Sequence, residues 1–247
     1  KVIKPEYEIK TAKQIYIITP FPEMVEAVIC ESILRRAADK ELVVYHVVDL
    51  REFAEGKFKQ IDDYPFGGGT GMIMMPEPIL KALDRVKELH SGDRNLRVIF
   101  PTPQGEQLTQ DKSREFSQDD DLVFISGHYK GMDERIRESV VTDEISIGDF
   151  VLTNGELPTL VILDTVVRLI PGVLGDDESA MGDSFTNELL DFPHYTRPAE
   201  VRGMDVPEVL LSGHHEKIEK WRQEEREKRT QSRRPDLWKT YEQKQTR

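Results

Sequence analysis

Apolar residues gather in short β-branched or aromatic runs at Ile15 to Thr19, Leu42 to Val48, Leu96 to Phe100 and Leu122 to Ser126. Runs of this length and composition predict strands. Longer segments with apolar positions at helical spacing lie between most of them: Glu23 to Ala38, Pro76 to His90 and Thr109 to Ser117, with Leu157 to Leu169 further on. Each is long enough to cross over between parallel strands, so the alternation predicts an α/β fold with a mostly parallel sheet. The most apolar stretch, Leu157 to Ile170, carries Asp164 and Arg168. A membrane helix needs roughly 18 uninterrupted apolar residues, so the stretch reads as a buried helix, with Pro158 in its first turn and Pro171 ending it.

The pattern weakens at both ends. Residues 1–14 are polar and read as a tail. From about 173 to 206 the periodicity gives way to Gly, Asp, Ser and Pro, including Gly175, Asp176, Asp177, Gly182 and Asp183, which reads as a flexible linker. It divides a domain spanning 15–172 from a small helical domain spanning 207–247. That last domain reads as two helices, one from about His214 to Thr230 and one opening at Pro235.

Charge sharpens this division. The 247-residue chain has a net charge of −12, which argues against a surface coated in positive charge for indiscriminate nucleic-acid binding. Yet His214 to Arg247 holds eleven Lys and Arg against seven Asp and Glu. Most of these are expected to form a solvated helix face; the cluster Lys228, Arg229, Arg233 and Arg234 is the local basic patch worth testing. The single cysteine, Cys30, excludes an intramolecular disulfide, a Cys-rich zinc site and a Cys-x-x-Cys pair, which points to a reducing, cytoplasmic setting.

Four loops hold more Gly, Pro and polar residues than turns require, and such loops after strands are where α/β folds place ligands. They are Pro65 to Gly71, Pro101 to Gly105, Ser126 to Gly131, and Ile147 to Pro158. The first is neither a P-loop nor a dinucleotide fingerprint, since no Lys-Ser or Lys-Thr follows and a third glycine is missing. Pro101, Pro103 and Gly105 make a stiff loop that offers fixed amides and carbonyls. Taken singly, each loop is equally readable as structural punctuation. The six histidines have no metal-ligand spacing, so no metal site is expected, and no Gly-x-Ser-x-Gly elbow exists. Arg168 reads as a helix-terminal charge and Asp183 as a turn or cap.

In order, these pieces resemble one family, the bacterial tRNA (guanine-N1)-methyltransferases of the TrmD type in the knotted SPOUT superfamily. The resemblance runs from about Ile15 to Leu237. It rests on Asp62-Asp63 with Pro65-Phe66-Gly67-Gly68-Gly69-Thr70-Gly71, Pro103-Gln104-Gly105, Gly127-His128-Tyr129, Ile147-Gly148-Asp149-Phe150-Val151-Leu152, Gly155-Glu156-Leu157-Pro158, Asp183-Ser184-Phe185, and Asp191 with Pro193-His194-Tyr195. Each motif alone is weak, and the ordered set is specific.

The resemblance implies a deep trefoil knot in the α/β domain, a small all-α C-terminal domain and a homodimer with its active site between subunits. It implies S-adenosylmethionine bound by Thr102, Pro103, Gly105, Gly127, Tyr129, Ile147, Gly148, Asp149, Phe150, Val151, Leu152, Asn154, Gly155 and Pro158. The implied reaction moves the methyl to N1 of the guanine 3′ of the anticodon, position 37 of the tRNA. Asp183 matches the base that removes the N1 proton, and Arg168 the arginine that stabilises charge on guanine O6. Asp62, Asp191 and His194 match residues that place the guanine and the linker. Arg229, Arg233 and Arg234 would hold the anticodon stem-loop through its phosphates. Lys130 stands where many members have a Glu linked with magnesium dependence, and a cation there weakens a magnesium requirement.

Overall fold

A computed structural model describes residues 12–90, 94–118, 120–175 and 183–245. Residues 1–11 of the predicted tail and 176–182 of the predicted linker therefore lie outside the described residues. The chain divides into two compact units, Lys1–Gly175 and Asp176–Arg247.

The first unit is built on five parallel strands, β1 (Lys13–Thr19), β2 (Val43–Asp49), β5 (Leu96–Gln107), β6 (Asp121–Ile125) and β7 (Asp143–Ser146), in the order β2-β1-β6-β5-β7. A short antiparallel pair, β3 (Asp62–Asp63) and β4 (Ile73–Met74), stands apart from it. Side chains alternate across a strand, and here both faces are buried. Ile15, Ile17, Leu122 and Phe124 join one core with Val25, Leu34, Leu160 and Val166, whereas Tyr16, Ile18, Val123 and Ile125 join the other with Ile79, Leu83 and Ile136. Helices α1 (Pro22–Ile29), α2 (Ser32–Asp39), α4 (Gln110–Ser117) and α6 (Glu156–Val167) cover the first face, and α3 (Pro76–Leu89) and α5 (Glu134–Val140) the second. This two-sided burial explains why the strands read as continuous apolar runs.

Several boundaries differ from the sequence reading. β1 begins at Lys13, inside the predicted tail, because the Lys13 ammonium is buried and donates to the carbonyls of Gln118 and Asp120. The expected helix from Glu23 to Ala38 is two helices, broken at Cys30 and Glu31, where Glu31 is extended. Neither Gly nor Pro marks that break. Pro101 to Gly105, expected as a loop after a strand, is an excursion within β5: Ile145 pairs first with Pro101 and again with Glu106. Pro101 and Pro103 have no N–H to give a ladder, so the strand bulges there and then resumes.

β7 was not foreseen, since Asp143 and Glu144 do not read as a strand; both are claimed by arginines. Arg97 holds Asp143 through two bonds, of 3.1 and 2.5 Å, and Arg137 holds Glu144 at 3.1 and 2.5 Å. Burial pushes the Asp143 carboxyl up, and its bonds from Arg97 and Thr142 outweigh that and hold it below the ordinary value.

The second unit contains a two-residue hairpin, β8 (Glu200–Val201) with β9 (Met204–Asp205), and helices α7 (Glu208–Leu211), α8 (His215–Arg233) and α9 (Pro235–Gln245). Part of the predicted flexible linker is ordered against α8. The Leu190 amide donates to the buried Thr230 hydroxyl at 2.8 Å, Arg226 and Arg229 reach the carbonyls of Leu190 and Asp191, and Leu189 is buried. Polar, Gly-rich composition hid these contacts because they use backbone groups.

Candidate active site

The carboxyl ends of β5, β6 and β7 surround a cavity of about 560 Å³, the place where open parallel sheets bind ligands and a size suited to a small organic molecule. All fourteen residues assigned to the cofactor by resemblance line it except Gly105 and Asp149. Gly105 serves it from behind: a Cβ there would lie 2.4 Å from the Glu144 and Ile145 backbone. A Cβ at Gly155 would lie 2.3 Å from the Gly127 amide nitrogen, and the Gly155 amide donates to the Gly127 carbonyl at 2.6 Å. Only glycine lets the segments before α6 and after β6 touch backbone to backbone, and the cavity wall is made by that contact.

The walls combine fixed polar backbone with apolar and aromatic surface. Ile145, Ile147, Val151, Leu152, Pro103 and Pro158 supply the apolar part. Gly148, at a φ of 146°, lets the Phe150 ring fold over its backbone, and Ser146 Oγ closes the turn by bonding both the amide and the carbonyl of Gly148. Tyr129 is held in the left-handed region at a φ of 60°. Its ring stacks on His128 with 4.5 Å between centroids, and its hydroxyl faces Asp62 and Arg51. Burial and then the Asp62 carboxylate push that hydroxyl above its ordinary pKa, against the smaller opposing pull of Arg51. Tyr129 thus brings Asp62 to the cavity, a link that spacing in the chain could not reveal.

Lys130 lines the rim. Its stem packs on Gly71 and its ammonium stands 3.5 Å from the Thr70 hydroxyl, joining the Pro65 to Gly71 loop to the cavity. Among the described residues no group of three or more His, Cys, Asp or Glu could hold a metal ion. Sequence reasoning missed Arg51, Phe100, Arg137 and Ile145. Phe100 ends a predicted strand, which was a usable signal; the others come from elements whose position only the fold decides.

The remaining candidates divide between the units. Arg168 caps the C-terminus of α6 in the first unit, as the helix-terminal reading expected. Asp183, Asp191 and His194 are in the second. There His194 Nε2 meets Asp191 at 2.7 Å, and the Asp191 amide donates to Ser184 Oγ at 3.0 Å, which ties Ser184, Asp191 and His194 together. Of the basic cluster, Lys228 pairs with Glu225, Arg234 pairs with Asp236, and Arg229 bonds the Asp191 carbonyl. Arg233 is exposed and has no ion pair among the described residues.

A parallel α/β sheet whose three strand ends build one loop-lined cavity defines a small-molecule-binding protein of the α/β class. The sequence matches the family described as tRNA (Guanine-1)-methyltransferase TrmD over residues 13–240. It is 54% identical over 229 residues to the tRNA (guanine-N(1)-)-methyltransferase of Anoxybacillus flavithermus, covering 93% of each chain. It is 51% identical over 228 residues to the proteins of that name from Bacillus subtilis and Listeria monocytogenes, covering 92% of this chain and 93% of theirs. The chain belongs to the tRNA (guanine-1)-methyltransferase family of the TrmD type.

Proposed function

We propose that this chain transfers the methyl group of S-adenosylmethionine to N1 of the guanine 3′ of the anticodon, position 37 of the tRNA. The observation that carries the reading is the cavity at the carboxyl ends of β5, β6 and β7, lined by nearly every residue the family pattern assigns to the cofactor. Its shape-fixed backbone and apolar walls suit an adenosine and a thioether chain. When bound there, S-adenosylmethionine supplies an electrophilic methyl on sulfonium sulfur.

This chain's residues would do the rest. Guanine N1 carries a proton and is a poor nucleophile until it is removed. The Asp183 carboxylate takes that proton as the N1–carbon bond forms and the sulfur–carbon bond breaks. The Arg168 guanidinium stabilises the negative charge that develops on O6. Asp62, Asp191 and His194 place the flipped guanine and the segment that bears Asp183. The helices of 207–247, with Arg229, Arg233 and Arg234, hold the anticodon stem-loop.

The reading includes a trefoil knot through the loops around Gly105, Gly127 and Gly155, and a homodimer that completes each site with Asp183 of the partner. Support for the dimer is that α6 is apolar on its outward side too: Leu157 and Val161 are exposed, as are Val28 on the neighbouring α1 and Phe150 and Val151 beside the cavity. Uncovered apolar surface of this kind marks an interface. No helix among the described residues is long and apolar enough to cross a membrane, and the proposed setting is the cytoplasm.

The test is transfer of labelled methyl from S-adenosylmethionine to tRNA transcripts bearing guanine or adenine at position 37, with and without magnesium. Label confined to the guanine transcript is expected, and Asp183→Asn should abolish it while cofactor binding persists. Substantial turnover by Asp183→Asn would remove Asp183 as the base; label in neither transcript would refute the assignment of substrate. The comparison with and without magnesium reads what Lys130 changes at the position where many members carry a Glu.

A further inference from the structure

Among the described residues, the charged side chains that line the cavity are Lys130, Glu134 and Arg137. Arg137 is already engaged by carboxylates, Glu134 at 3.1 Å and Glu144 at 2.5 Å. Lys130 has no ion pair among the described residues, and its ammonium meets only the Thr70 hydroxyl, at 3.5 Å. An ammonium has three donors, so one distant hydroxyl leaves it largely unanswered. Yet the residue is well placed. Its amide donates to the Met72 carbonyl at 3.1 Å, and the Met74 amide donates to the Gly131 carbonyl at 2.9 Å, which fastens this turn to β4. Its stem lies along the bare backbone of Gly71, where a Cβ would stand 3.1–3.2 Å from Lys130 Cγ, Cδ and Cε. The fold thus holds a cation at the cavity rim and gives it no counter-charge of its own.

We propose that the Lys130 ammonium pairs with the α-carboxylate of S-adenosylmethionine and so sets where in the cavity the amino-acid end of the cofactor lies. The proposal rests on the cofactor reading of the cavity. S-adenosylmethionine carries one anionic group, the α-carboxylate; its sulfonium and its α-ammonium are both cationic. Of the two cations on the cavity wall, Arg137 is held by Glu134 and Glu144, which leaves Lys130 to take the carboxylate. The two ends of the ligand meet different segments. Ile145, Ile147 and Leu152, from β7 and the stretch leading into α6, give apolar surface for the adenine, whereas Lys130 comes from the turn after β6. A charge-assisted hydrogen bond is stronger than a neutral one, and an ion pair left open to water contributes little. Lys130 is exposed and sits on the rim, so the pair should change affinity by about five- to ten-fold. Many members of the family carry Glu at this position, which makes the pairing a property of this chain's own residue.

Calorimetric titration of the ligand-free protein with three nucleosides isolates the carboxylate. They are S-adenosylhomocysteine, its decarboxylated form, which keeps the ammonium, and 5′-methylthioadenosine, which has neither group. The wild type should bind S-adenosylhomocysteine about five- to ten-fold more tightly than the decarboxylated form. Lys130→Met, which keeps a stem against Gly71, should lose that preference while binding 5′-methylthioadenosine within about two-fold of the wild type. Lys130→Arg should keep most of the preference, and added salt should shrink it in the wild type as the pair is screened. A preference that survives intact in Lys130→Met would overturn the pairing and leave the cofactor reading standing. So would a Lys130→Met protein that binds all three ligands like the wild type and shows only a raised KM for tRNA, which would assign Lys130 to a tRNA phosphate. A wild type that binds none of the three would overturn the cofactor reading itself, and the proposal with it.

Discussion

Replacing Gly155 by Ala is the sharpest single test of how the cavity is built. Its φ of −88° and ψ of −8° are ordinary for any residue, so the substitution adds contact without backbone strain. The new Cβ would stand 2.3 Å from the Gly127 nitrogen and 2.9 Å from the Gly127 oxygen and the Ser126 carbonyl carbon. Non-bonded heavy atoms settle at about 3.5 Å, so the two segments must part by roughly 1 Å, and both neighbours are backbone that cannot rotate away. Overpacking of this kind costs about 1–3 kcal/mol, and stretching the 2.6 Å bond between Gly155 and Gly127 removes about 1 kcal/mol more. Because the parting occurs in the cavity wall, calorimetric titration with S-adenosylhomocysteine should show affinity reduced by about 30-fold or more, together with a lower melting temperature. Gly175→Ala, whose Cβ would meet nothing within 4 Å, should leave both unchanged. Binding by Gly155→Ala within about two-fold of the wild type, at an unchanged melting temperature, would refute the argument that backbone contact at Gly155 shapes the cavity.

The remaining predictions concern charge and interfaces. The lowered carboxyl of Asp143 stabilises the fold above the pKa of an unfolded Asp, near 4, and that contribution is lost as pH falls through the lowered folded value. Urea midpoints between neutral and strongly acid pH should therefore show Asp143→Asn less stable at neutrality, with the gap to wild type closing on acidification; a constant gap would contradict it. Val161→Asp, on the outward stripe of α6, should shift sedimentation from dimer to monomer and suppress methyl transfer, and an unchanged dimer would place the interface elsewhere. Arg233→Ala should raise the KM for tRNA and reduce the slope of log affinity against log salt by about one, leaving cofactor affinity alone. An unchanged slope would mean that Arg233 makes no phosphate contact.

The local pattern of the chain decided more of this protein than its low regularity suggests. Strands buried on both faces need β-branched runs, and their crossovers need helical spacing, so β1, β2, β6, the first part of β5 and most helices were legible. The ligand loops were legible for a related reason: backbone that must approach other backbone, or stand stiff beside it, is written in Gly and Pro. What the pattern could not convey depends on partners remote in the chain. β7 is a strand because Arg97 and Arg137 neutralise its acidic residues, and part of the apparent linker is ordered because its amides and carbonyls bond α8.

The meeting of Asp62 and Arg51 at the Tyr129 hydroxyl was likewise settled only by the fold. Sequence fixes which side chains are available and the period with which they face one way or another. Tertiary structure alone decides which of them are taken out of water together. Burial, and then the Asp62 carboxylate it brings near, is what lifts the Tyr129 phenol above its ordinary pKa.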